Sequence, residues 1–456
     1  MDMTQSELKI LAPTGIVGYG FPEESFYAGV ALKPDVIACD AGSTDPGPYY
    51  LGSGHPFTND TAVKRDLTLM LKAARQLDIP LVIGTAGGSG ADVHVARDVG
   101  ILRAIAKEEG LTFRLAVISA ELDPGKVCAA LREGRVEQLE GAPPITEDEL
   151  QASSHLVAQM GIEPIIRALD DGAQVVLCGR CYDPAAFAAP AIRLGYDKAL
   201  AFHLGKLLEC ATISATPGSG ADCLMGYLGQ DYFRVEPLNP ARRCTPLSVS
   251  AHTLYEKSNP YLLPGPGGTL DISASTFTAD TDRAVRVRGS RYIQEEVSSV
   301  KLEGAKPTGY RTISICGNRD PLFIARLDGI LEEVKKQTAE NLSASFQYRL
   351  DFIVYGRNGV MGDQEPGTGV RSHEVGIVID VIADSQEEAN AVCSVARSTL
   401  LHFGYEGRLA TAGNLAFPFS PSDIQMGQAY EFNVYGLLRG EDALSLFPRT
   451  YMVLGG

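Results

Sequence analysis

The chain has 456 residues, 45% of them hydrophobic and 21% charged, a composition of folded globular domains that excludes fibrous and disordered classes. At that length one core is not expected, since single cores stop growing near roughly 250–300 residues. The 56 acidic against 40 basic residues leave a formal charge of −16, which excludes a general field for nucleic acid while leaving a local anion site open. The first ten residues lack a basic and then apolar leader, no run of apolar residues is long enough to span a bilayer, and the odd count of nine cysteines fits reduced thiols, so a cytoplasmic location is expected.

In chain order, apolar runs at 8–13, 36–41, 81–85, 114–119 and 175–179 read as buried strands, with helical spacing between them at 61–76, 91–109 and 155–169. The alternation predicts a doubly wound, mostly parallel sheet over residues 1–300, including an irregular glycine-rich extension at about 213–300. From 301 to 456 the order strand, helix, strand, strand, helix, strand predicts a smaller ferredoxin-like α+β domain.

In a parallel sheet, ligands collect beyond the carboxyl ends of the strands, and there the sequence is rich in glycine and polar groups. Gly87, Gly88, Ser89 and Gly90 precede a helix whose free N–H groups suit a carboxylate or phosphate, and Arg180 offers a guanidinium that could grip the same anion. Asp45, His55 and Asp183 are the candidates for proton transfer. Arg357 and Arg371 sit on a long glycine-rich loop that could close over the cleft. Each group also has a plain structural reading: a tight turn, a turn cap, or a bracing ion pair. Cys178 and Cys181 stand in a CxxC pair without a second pair, so zinc is not expected. No dinucleotide fingerprint follows the first strand. No tightly bound cofactor is expected, with carboxylate-bound Mg²⁺ or a coenzyme A thioester substrate left open.

The segments Asp40 to Pro48, Gly84 to Gly90, Gly179 to Pro184 and Asn414 to Asp423 together resemble the acyclic terpene utilisation (AtuA) family, in its short form. The resemblance implies catabolism of branched acids or their coenzyme A thioesters, and in the short form a small separate protein subunit is an expected partner. The leading expectation is therefore a hydratase or dehydratase, or an isomerase, acting on a small branched or dicarboxylic acid or its acyl-CoA thioester as a homo- or hetero-oligomer. A non-catalytic acyl-ligand-binding or scaffolding subunit is the alternative.

Overall fold

The computed structural model describes residues 7–342, 346–367, 369–409 and 412–455; residues 1–6, on which most of the leader expectation turns, lie outside them. The chain is a mixed α/β protein that divides into two compact units, Met1–Lys306 with Phe432–Gly456, and Pro307–Glu431. The last segment thus groups with the larger unit, where the order of elements had placed it in the smaller one.

The larger unit is built on a ten-stranded sheet. Five strands are parallel in its middle: Leu8–Ala12, Val36–Cys39, Leu81–Ile83, Val175–Cys178 and Phe113–Ile118. Their residues alternate between two cores. Ile10, Ala38, Val82 and Val176 face one, while Leu11, Ile37, Ile83 and Leu177 face the other. Both faces must therefore be covered, which is why these strands read as unbroken apolar runs. The helices Asp60–Leu77 and Asp92–Glu109 supply Leu67, Met70, Leu71, Leu102 and Ile105 to the second core. Helices Glu163–Asp170, Ala185–Arg193 and Lys198–Leu208 cover the first.

One expectation changes. Residues 155–169 do not form one helix, because His155–Ala158 is a strand paired antiparallel with Leu302–Ala305, and the helix starts only at Glu163. The irregular extension at 213–300 contains strands, as expected, among them Val285–Arg288: Leu224–Leu228 pairs antiparallel with Leu8–Ala12, and Phe233–Pro237, Val285–Arg288 and Thr276–Ala279 continue the sheet outward.

In the smaller unit Tyr348–Tyr355, Val375–Ala383 and residues Tyr310–Asn318 pair antiparallel, with the first part of the strand Asp423–Arg439, up to Glu431, next in order. The helices Leu327–Glu340 and Gln386–His402 pack on them through Ile330, Val334, Val392 and Ala396.

Candidate functional site

A cleft of about 200 Å³ opens at the carboxyl ends of the parallel strands. Gly15, Ile16 and Tyr19 follow the first strand, Asp40, Ser43 and Asp45 the second, and Asp183 the strand Val175–Cys178. Glu209 and Cys210, just beyond the buried helix Lys198–Leu208, form another wall with Tyr255 and Glu256. The topology explains the convergence, since every parallel strand delivers its next residue to this one edge.

The charges are unusual. Asp40 is 5% exposed, and burial, reinforced by the charge of Asp183, pushes its carboxyl well above its ordinary value, against the pull of Arg180. Burial likewise raises Asp183, whose Oδ1 accepts from Arg180 at 3.3 Å. Lys206 is shared by two carboxylates, Glu209 at 2.9 Å and Glu256 at 2.6 Å. Burial pushes Glu209 up to about 8 in spite of that lysine, whereas Lys206 outweighs the partial burial of Glu256 and holds it below its ordinary value. One ammonium neutralises one carboxylate, so the deeper partner keeps its proton. The cleft thus places a carboxylic acid that is protonated near neutrality beside carboxyls with raised proton affinity, a pairing suited to general acid and base work. Among the described residues, no group of three His, Cys, Asp or Glu side chains is arranged to hold a metal ion.

Asp45 and Asp183 line this cleft. His55 does not: it is exposed, and its ring stacks on Tyr49 with centroids 5.7 Å apart.

Arg180 is 3% exposed and already paired, with Nε donating to Glu303 at 2.6 Å. Thr44 and Lys301 hold the other side of that carboxylate at 3.2 and 2.9 Å. Although burial disfavours its charge, Arg180 and Lys301 bring Glu303 down to about 2. The guanidinium expected to hold a substrate anion is consumed inside the protein.

The glycine loop is likewise occupied. Gly87 donates its N–H to Asp98 at 2.9 Å, and Asp92, first in the following helix, donates to Glu121 at 2.7 Å. Carboxylates of the chain itself stand where an anion was expected. A Cβ at Gly42 would lie 2.1 Å from Gly88 Cα, and one at Gly90 2.1 Å from the Arg180 nitrogen. Gly88 and Gly90 also have φ of 109° and 71°. These glycines let three loops cross at backbone distance. Ser89 is 1% exposed and its Oγ has no hydrogen-bond partner among the described residues. Arg357 and Arg371 belong to the smaller unit, where Arg357 pairs with Asp328 and Arg371 is exposed.

Glu209, Lys206, Tyr255 and Glu256 were missed because nothing in their local sequence marks them. The available signal was a lysine inside the run Ala199 to Leu208, apolar apart from it and His203 and all of it buried, since a buried lysine requires a partner.

Fold and cleft together define an α/β protein with an acidic site at the carboxyl edge of a parallel sheet. The model of the family described as acyclic terpene utilisation family protein AtuA matches residues 59–222 and 237–416, and the chain belongs to that family. Membership suggests a role in acyclic terpene utilisation. No curated protein and no solved structure matches the chain.

Proposed function

We propose that the cleft carries out proton transfer on a small branched acid or its thioester, in a hydration, dehydration or isomerisation. The observation that supports this is the carboxyl cluster of Asp40, Asp183 and Glu209 around about 200 Å³ of space. Glu209, raised to about 8, serves as the acid that protonates a double bond or a departing hydroxyl, and Asp183 as the base on the opposite step. Asp45 stands at the mouth. Because the wall is acidic and Arg180 is engaged, the end of the substrate that enters is its uncharged hydrocarbon or hydroxyl part, and its carboxylate or thioester stays outside. Against branched acids and thioesters, Glu209→Gln and Asp183→Asn should each lower turnover by about 10²-fold or more, the usual worth of a positioned acid or base. Full activity in both variants, with unchanged melting, would refute the assignment. Activity that appears only after a second protein is added would instead favour a subunit role.

We also read the two-faced parallel sheet as doubly wound and the smaller unit's strand order as ferredoxin-like. The supporting features are the cores on both sheet faces and the βαββαβ order.

A further inference from the structure

The wall of the cleft in the larger unit carries a phenol that the proton-transfer residues do not account for. Tyr255 lines the cleft and is 40% exposed, yet contacts fix both its ring and its hydroxyl. His252 stacks on the ring with centroids 4.7 Å apart, the Lys206 ammonium stands 4.5 Å from its centroid, and the hydroxyl meets Cys210 Sγ at 3.3 Å. The backbone is strained on both sides of that last contact. Ala211 and Glu256, the residues after Cys210 and Tyr255, have φ of 50° and 77°, a region that residues with a Cβ seldom occupy. Such strain persists only where the surrounding structure overdetermines it, and it gathers at ligand sites. Tyr19, the other phenol on the wall, makes no hydrogen bond through its hydroxyl among the described residues. We propose that Tyr255 sets substrate specificity by donating its phenolic hydrogen to a hydroxyl of the substrate, so that the cleft takes a hydroxy compound in preference to the alkene formed from it by loss of water.

This inference rests on the proton-transfer reading of the same cleft and names the group that the cleft recognises. Cys210 keeps its proton, because burial and the charge of Glu209 push its thiol up to about 12, and burial raises Tyr255 as well. The S–H therefore donates to the phenol oxygen. Sulfur is only a weak acceptor, so the phenolic hydrogen is left for a substrate oxygen. With its ring already held, Tyr255 loses little freedom when it makes that bond. Asp45 and Asp183 supply carboxylate acceptors in the same cleft. A hydroxyl matches both kinds of group, accepting from Tyr255 and donating to a carboxylate. A carbonyl only accepts, an ammonium only donates, and an alkene does neither.

The test is calorimetric titration of the full chain with 3-hydroxy-3-methylbutanoate and with 3-methylbut-2-enoate, a branched hydroxy acid and its dehydration product. The hydroxy acid should bind about three- to tenfold more tightly, the worth of one neutral hydrogen bond. Tyr255→Phe keeps the ring and its contacts with His252 and Lys206, so it should melt as the wild type does, lose that preference and bind the enoate unchanged. For a hydroxy substrate that turns over, it should raise KM by the same factor with kcat held within about threefold, whereas Glu209→Gln should lower kcat. No binding of either acid, equal binding of both by the wild type, or a preference that survives in Tyr255→Phe overturns the role of Tyr255. Loss of the preference in Tyr255→Phe, together with full turnover in Glu209→Gln and Asp183→Asn, would keep the hydroxyl site and refute the proton-transfer reading alone.

Discussion

At the scale of single residues the buried ion cluster decides more than the exposed candidates. Arg180 holds Glu303 inside the larger unit and reaches Asp183 at 3.3 Å. Removing it in Arg180→Ala strands a buried carboxylate, for which the expected loss is about 3–5 kcal/mol, measured by urea unfolding. Loss of less than about 1 kcal/mol would mean that Glu303 simply takes up a proton or another partner. His55, by contrast, is exposed, and His55→Ala should leave turnover within about twofold, since a proton-transfer residue would lose far more. An assay showing a hundredfold fall would return His55 to the mechanism.

At the scale of elements, the parallel strands and the long helices were legible because their apolar spacing is set by one packing surface each. Asp60–Leu77 and Asp92–Glu109 lie within a residue or two of where periodicity places them. The strand His155–Ala158 was not legible, since its identity depends on pairing with Leu302–Ala305, some 150 residues away in sequence. Of the site, the strand-end loops and Asp45 and Asp183 could be read, but the contributions of Glu209 and Glu256 depend on tertiary placement. The glycines illustrate the ambiguity: in sequence, Gly87 to Gly90 fit an anion cradle and a loop crossing equally, and only the Gly42 to Gly88 approach separates them. Gly42→Ala would force Cβ within 2.1 Å of Gly88 Cα, and a backbone clash of that kind should cost about 3 kcal/mol. A melt within 2 °C of wild type would show that the loops can separate without loss.

At the scale of the whole molecule, stability should depend on pH in opposite senses at the acid and the alkaline ends. Glu303 has a folded value of about 2 against an ordinary 4.5, so its contribution is complete above 4.5 and is lost as pH falls toward 2. Glu209 is raised from 4.5 to about 8: the folded state holds this proton more tightly than the unfolded chain does, so its contribution is complete below 4.5 and fades as pH climbs through 8. Asp40, raised by burial and by Asp183, acts in the same direction as Glu209. Buried His94, His203 and His252, held down to about 4, 3 and 4 from an ordinary 6.5, add stability as pH rises toward 6.5 and offset Glu209 and Asp40 there, so the melting temperature should fall toward pH 3 and, once the histidines are neutral, decline between pH 7 and pH 8.5. Glu209→Gln removes the titrating proton while keeping the shape of the side chain, so it should flatten the alkaline limb and leave the acid limb in place. Melts collected across this range at constant ionic strength test both halves at once. A wild-type melting temperature that holds or rises from pH 7 to 8.5 would mean that Glu209 is ionised in the folded protein, with Lys206 neutralising both of its carboxylate neighbours, and the proton donor of the cleft would have to be sought in Asp40 instead.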